Sequence, residues 1–145
     1  MLNKIKRFVI YFIYILVVGY LIMKGNDFFR YLREVYLIKY DPTYLWIWFA
    51  VFPILVGILL ALPYLLSIIN KPGKLQFDWV KFLAVGIPSF YAAITPIYIL
   101  ICLNHPEFVL KLSDYIFMLH ERLIVISGVV FGFVLVSSFY KKELK

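Results

Sequence analysis

Four long stretches of this chain carry no Asp, Glu, Lys, Arg or His, and they constrain the fold more than any other feature. The stretches are residues 8–23, 44–69, 82–103 and 123–139. A helix of roughly 20 apolar residues crosses the hydrocarbon core of a bilayer, and a helix satisfies its own backbone hydrogen bonds there. We therefore predict an all-α fold, an integral membrane four-helix bundle in which residues 1–145 form a single membrane domain.

The charge distribution indicates how the chain is oriented. Hydrophobic residues make up 64% of the sequence, and the formal net charge is +7. The cations flank the apolar stretches, where anionic headgroups attract them. Since they form no basic stripe with exposed aromatic residues, we predict contact with membrane lipids and no nucleic-acid partner. More Lys and Arg lie at the two chain ends and in the middle loop than in the other two loops, which predicts a multi-pass protein of the cell membrane with cytoplasmic N- and C-termini.

Two of the loops have the pattern of amphipathic helices. Gly25-Asn26-Asp27 is typical of a helix break followed by an N-cap, and residues 27–40 then place apolar side chains on one face at the helical period. Residues 106–119 repeat this plan after a proline at the helix start. We predict that both segments lie in the outer headgroup layer, so the bundle consists of two transmembrane hairpins, each with an interfacial helix in its outer loop.

Small residues in the second and fourth spans predict close helix packing. Gly128 and Gly132 form a GxxxG motif, and Gly57 with Ala61 form a looser version of it. Without side chains to separate them, helix backbones approach closely and gain van der Waals contact. Two interpretations are open: the motif contacts a partner protein or a second copy, or it packs the fourth span inside its own bundle.

The second and third spans each contain two prolines, which are Pro53, Pro63, Pro88 and Pro96. In an antiparallel hairpin Pro63 would lie at the depth of Pro88, and Pro53 near that of Pro96. Each proline leaves the carbonyl four residues earlier without its helical donor, and in lipid that carbonyl needs another partner. One interpretation is a kinked helix pair around a small cavity; the other is that proline is simply frequent in membrane helices. The candidate cavity residues are Tyr64, Ser89, Tyr91, Thr95 and Tyr98.

Few residues offer catalytic or ligand-binding chemistry. Cys102 is the only cysteine, which excludes an intrachain disulfide. His105 and His120 lie at opposite ends of the predicted second interfacial helix, a spacing that does not suit a metal site. The sequence has no Ser/His/Asp arrangement and no phosphate-binding glycine loop. We predict no cofactor, no metal and no enzymatic activity.

Three functional hypotheses follow, in order of preference. The first is a non-catalytic accessory or scaffold subunit that acts through intramembrane helix contacts, with a membrane-protein partner or in a homo-oligomer. The second is a small transporter or pore subunit whose passage lies between the proline-kinked second and third spans. The third is a lipid-modifying enzyme, whose chemistry would depend on Arg30, Arg33 and Glu34.

Overall fold

The protein is mostly helical, with one small β-ribbon. The computed structural model describes residues 2–70, 72–104 and 121–142. In chain order the elements are α1 (Leu2–Lys39), α2 (Thr43–Ile69), β1 (Lys74–Phe77), α3 (Trp79–Lys81), a π-helical turn (Phe82–Gly86), α4 (Ile87–Ala93), α5 (Thr95–Asn104), α6 (Glu121–Ser137) and β2 (Phe139–Lys142). The prediction of an all-α fold is therefore wrong at the ribbon.

The predicted interfacial helix at residues 106–119 lies outside the described residues, as do His105 and His120.

Two helices are long and apolar enough to cross a membrane: Lys4–Lys39 within α1, and α2. A third segment is long and apolar enough to cross a membrane only if two helices are counted as one. These helices are Trp79–Ala93 and Thr95–Ile101, and a bend of 44° separates them. In the described part of the chain, Arg122–Ser137 is also apolar but shorter. The helices expose large apolar side chains on their outer sides, for example Phe8, which is 69% exposed. Extended apolar surface of this kind marks contact with lipid or with another protein.

α1 is one uninterrupted helix of 38 residues, about 57 Å long at 1.5 Å per residue. The predicted break at Gly25-Asn26-Asp27 and the separate interfacial helix at residues 27–40 are therefore wrong. The ring of Phe52 on α2 lies where a Cβ of Gly25 would be, so this glycine serves close packing and does not end the helix. Glycine inside a helix costs about 1 kcal/mol relative to Ala, and the packing contact offsets that cost.

One narrow stripe of α1 faces α2. The buried and half-buried residues recur at spacings of three or four, and they include Tyr14, Val18, Ile22, Gly25, Phe29, Leu32 and Tyr36. The stripe meets α2 through aromatic contacts, with the ring centroids of Phe29 and Phe49 5.8 Å apart. The apolar face predicted for the interfacial helix largely continues this stripe. It packs on the start of α2 and does not form a separate surface element.

The order of helices across the bundle differs from the predicted hairpins. α2 packs mainly against α6, and α4 also packs against α6, where the ring centroids of Phe90 and Phe131 lie 4.8 Å apart. α6 therefore lies between α2 and α4, whereas the sequence predicts that the second and third spans are direct neighbours. α5 contacts α2, so the chain changes neighbours at the 44° bend between α4 and α5.

The β-ribbon closes one end of the bundle. β1 and β2 pair antiparallel, with Lys74 opposite Lys142 and Phe77 opposite Phe139. Gly73 precedes β1 with a φ of 132°, a conformation that favours glycine in a tight turn. The predicted fourth span at residues 123–139 therefore ends earlier, because Phe139 belongs to β2. We call this end of the molecule the ribbon end, and the end with the α1–α2 connection at residues 40–42 the turn end.

Two lysines cap helices at the ribbon end. The Nζ of Lys81 donates hydrogen bonds to the carbonyl oxygen and the hydroxyl of Ser137, at 3.0 and 2.8 Å, where α6 ends. The Nζ of Lys141 donates to the carbonyl oxygen of Ile69 at 2.7 Å, where α2 ends. Cations at helix C-termini satisfy free carbonyls and interact favourably with the helix dipole. These two lysines therefore stabilise the fold as well as adding to the charge at this end.

Candidate functional site

α2 and α6 meet through glycines, with backbone against backbone. A Cβ atom on Gly57 would overlap the carbonyl oxygen of Val129, and one on Gly132 would overlap the carbonyl oxygen of Ile54. Because the obstructing atoms belong to helix backbones, no side-chain rotation relieves the overlap. These two positions therefore require glycine. We call the contact formed by Gly57, Gly128 and Gly132 the glycine seam.

The predicted packing residues lie at or beside the glycine seam. A Cβ on Gly128 would lie 2.7 Å from the Cβ of Pro53, and Ala61, one turn after Gly57, is fully buried. α2 covers the face of α6 that carries Gly128 and Gly132, which corresponds to the intramolecular interpretation of the GxxxG motif. This face of α6 is therefore not free to contact another protein.

Tyr14 of α1 compensates for Pro63 in α2. Pro63 has no backbone N–H, so the carbonyl of Leu59, one turn earlier, lacks its helical donor. The hydroxyl of Tyr14 donates a hydrogen bond to that carbonyl oxygen. The sequence predicts that a proline-freed carbonyl needs a partner, and here a neighbouring helix supplies it. Sequence reasoning missed Tyr14, although a hydroxyl inside an otherwise apolar span was a usable signal.

A cavity of about 380 Å³ lies between α1, α2 and α6. Its lining includes the side chains of Phe29, Phe49, Phe52 and Pro53, with the amide of Asn26 as a polar group. Its volume is in the range of small-molecule sites, which are mostly apolar with a few polar groups. We call it the aromatic cavity. It offers space for an apolar group, and none of the described residues that line it is charged.

A second cavity of about 320 Å³ lies between α1 and α2, nearer the ribbon end. Pro63 lines it, as Pro53 lines the first, so the prolines of α2 border spaces shared with α1 and not with the third span. Arg7 and Asn70 add polar groups to its lining. We call it the basic groove.

Neither of these two spaces is lined by the candidate cavity residues, which are Tyr64, Ser89, Tyr91, Thr95 and Tyr98. The hydroxyl of Ser89 donates to the carbonyl of Val85, and that of Thr95 donates to the carbonyl of Tyr91 at 3.4 Å. Both hydroxyls are therefore bonded within their own segment.

Pro88 and Pro96 shape the third span in different ways. Pro88 follows the π-helical turn, whose wider hydrogen-bond spacing accommodates the loss of one backbone donor. Pro96 follows a break at Ile94, whose carbonyl accepts hydrogen bonds from the backbone N–H groups of Ile97 and Tyr98 at 3.0 and 3.1 Å. Both irregularities help the third span to pack first against α6 and then against α2.

Comparisons of the chain with known protein families, with curated proteins and with solved structures find no match. Within residues 2–70, 72–104 and 121–142, no group of three or more His, Cys, Asp or Glu side chains is placed to hold a metal ion. Three features of this part of the chain offer a surface or a space to a partner or ligand: the exposed side of α1, the aromatic cavity and the basic groove.

Proposed function

We propose that this protein is a four-pass helical bundle of the cell membrane that acts as a non-catalytic accessory subunit. It binds a membrane-protein partner through helix contacts inside the bilayer. In this proposal the bent third span and α6 cross the membrane together with α1 and α2, and the ribbon end and both chain ends are cytoplasmic. The excess of Lys and Arg in the ribbon-end segments supports this orientation.

The exposure of α1 is the observation that carries the proposal. Its buried stripe contacts α2, and the opposite side is exposed. We call the exposed residues opposite the stripe the outward face of α1; they are Val9, Phe12, Leu16, Tyr20 and Met23. Their exposure ranges from 44% to 67%. Residues at spacings of three and four form a ridge along a helix, and such ridges are what a neighbouring helix packs against.

Charge favours a different protein over a second copy as the neighbour of α1. Lys6 and Lys24 are exposed beside the two ends of the outward face, and the chain carries a net charge of +7. Two copies packed through this face would bring cations of like sign together at the helix ends. A partner helix with acidic residues near its ends would pair with them, and such complementarity favours one partner over others.

The geometry gives less support to the other two hypotheses. A passage between the proline-kinked spans would need α2 and α4 to line it together, whereas α6 lies between them. Arg30, Arg33 and Glu34 are exposed on α1, and none of them lines the aromatic cavity or the basic groove. The accessory subunit is therefore the function we propose.

Site-specific photocrosslinking in native membranes tests this proposal. A photoreactive residue at Leu16 on the outward face should give a protein adduct of one defined mass, and the same residue at Phe12 or Tyr20 should give the same adduct. Val18 is only 2% exposed within the α1 stripe, so the probe at that position is the matched control and should give none. The substitution Phe12→Ala should weaken the adduct formed from Tyr20.

Three outcomes would contradict the proposal. An adduct of twice the chain mass would identify a second copy as the neighbour. Adducts with lipid alone would show that the outward face simply contacts the bilayer. Adducts of many masses, without the helical spacing, would show random collision and no specific partner.

A further inference from the structure

The basic groove has a polar end and an apolar end. Asn70 directly follows α2 at the ribbon end, and Arg7 of α1 lines the same space. Ile10 and Leu66 line the groove further from the ribbon end, and Pro63 lies two helical turns before Asn70, which is about 10 Å along the helix. The groove therefore leads from a cationic edge into the apolar part of the α1–α2 contact.

Three polar side chains of the groove have no hydrogen-bond partner among the residues that the structure describes: Arg7, Tyr11 and Asn70. The hydroxyls of Tyr14 and Ser67 are different, because both already donate to backbone carbonyls. None of the described residues that line the groove is Asp or Glu. A guanidinium, a phenol and an amide thus border one space, with no carboxylate among the described lining residues.

This arrangement has the chemistry of a phosphate site. Arginine presents several donors in a planar fork and binds phosphate oxygens with two parallel hydrogen bonds. Hydroxyl and amide donors beside it add neutral hydrogen bonds to the same oxygens. Basic pockets between helices at the edge of a membrane bind the headgroups of anionic lipids.

We propose that the basic groove binds one anionic phospholipid. Arg7, Tyr11 and Asn70 hold the phosphate, and an acyl chain lies along Ile10 and Leu66. The apolar end favours a lipid over free inorganic phosphate, because free phosphate would leave that end unfilled and exposed. The site is on the opposite side of α1 from the outward face, so its test does not depend on a protein partner.

Lipid retention in nanodiscs measures the proposed binding. The full chain is placed in phosphatidylcholine with a minority of phosphatidylglycerol, and the lipids that remain bound after detergent extraction are measured by native mass spectrometry. Arg7→Gln should lower the retained phosphatidylglycerol about tenfold, since it removes the charge-assisted hydrogen bonds. Lys6→Gln removes the same charge from the adjacent residue, which is exposed and does not line the groove, and should leave retention close to that of the native chain.

A second variant and a competitor separate the two sources of phosphate. Leu66→Trp fills the apolar end without changing a donor, so it should also lower lipid retention. An excess of inorganic phosphate should displace little lipid; complete displacement would show a site for the free anion and overturn the lipid assignment. If Arg7→Gln and Lys6→Gln lowered the retained phosphatidylglycerol equally, the lipid would be held by general charge attraction, and the proposed site would be wrong. If Arg7→Gln retained as much phosphatidylglycerol as the native chain, the proposed site would also be wrong. The thermal midpoint of each variant in detergent shows whether it is folded.

Discussion

α2 makes contacts of opposite kinds on its two faces. Towards α6 it presents the glycine seam, where backbone meets backbone and no space remains for one additional carbon. Towards α1 it presents rings, such as Phe52, and this side borders the aromatic cavity and the basic groove. A contact between two helix backbones cannot make room for an added carbon unless the helices move apart, whereas an aromatic side chain can rotate away. We infer that the glycine seam fixes how α2 and α6 pack, and that the α1–α2 contact adapts to changes in side-chain size.

The largest effect should come from adding one carbon to the glycine seam. Gly132→Ala and Gly57→Ala should each lower the free energy of unfolding by about 3 kcal/mol, at the upper end of the usual cost of overpacking, because the new Cβ meets a carbonyl oxygen and the helices have to separate. The measurement is the unfolding midpoint in mixed micelles of SDS and a mild detergent.

Gly19→Ala is the matched control for the glycine seam. Gly19 lies on α1 with nothing within 4 Å of its Cβ position, so alanine should raise stability by up to about 1 kcal/mol through helix propensity. If Gly132→Ala were as harmless as Gly19→Ala, the seam would not be a tight contact.

A smaller loss, of about 1 kcal/mol, should follow Gly25→Ala in the α1–α2 contact. The obstructing atoms there belong to the ring of Phe52, which can move at the cost of its stacking on Trp48, 5.2 Å away between centroids. The second substitution Phe52→Leu should recover much of the lost stability in the same unfolding assay. No side-chain substitution should rescue Gly132→Ala, and a rescue there would remove the distinction between the two contacts.

The hydrogen bond between Tyr14 and Leu59 gives a third test, with an effect below about 1 kcal/mol. Interhelical hydrogen bonds in membrane proteins average about 0.6 kcal/mol, so Tyr14→Phe should destabilise the protein by roughly that amount. Pro63→Ala restores the backbone donor to the Leu59 carbonyl. In the Pro63→Ala protein, Tyr14→Phe should therefore lower the free energy of unfolding by clearly less than it does in the native chain. A double-mutant cycle measures this difference as a coupling energy. Tyr20→Phe on the exposed side of α1 is the control, and additive costs of Tyr14→Phe and Pro63→Ala would contradict the account.

Sequence patterns predicted the parts of this fold that depend on local hydropathy and residue size. The predicted second span at residues 44–69 nearly coincides with α2, since apolar length alone determines such a helix. The small residues at Gly57 and Gly132 indicated close packing because only glycine permits it. Which helix they pack against was not predictable, because periodicity identifies a face of a helix and not its neighbour.

The errors came from features that depend on distant residues. Gly25-Asn26-Asp27 has the composition of a helix break, but α1 continues through it, and Phe52, far along the chain, packs on that glycine. β1 and β2 are strands of four residues whose pairing joins two distant segments, and neither is long enough to show a strand pattern alone. The basic groove was missed because Arg7 belongs to a cluster of N-terminal cations and only the fold brings it to Asn70.

The smallest expected effect belongs to the turn that joins α1 to α2. Hydrogen bonds from the side chain and the backbone of Thr43 hold the pKa of the Asp41 carboxyl below its usual range, and the backbone bond measures 3.0 Å. Because the folded-state pKa lies below the unfolded one, ionised Asp41 stabilises the fold at a pH above the unfolded pKa. That contribution is lost as the pH falls through the folded pKa.

Asp41→Asn should therefore lower the unfolding midpoint slightly at neutral pH, and the difference from the native chain should shrink as the pH falls through the lowered pKa of Asp41. Thr43→Val removes the side-chain donor but keeps the backbone donor, so it should remove only part of the pH dependence. The glycine seam contains no titratable group, so the difference between Gly132→Ala and the native chain should stay constant over the same pH range. A difference that instead changes with pH in Gly132→Ala would show that the two faces of α2 are coupled, and the contrast between a fixed and an adaptable contact would then fail.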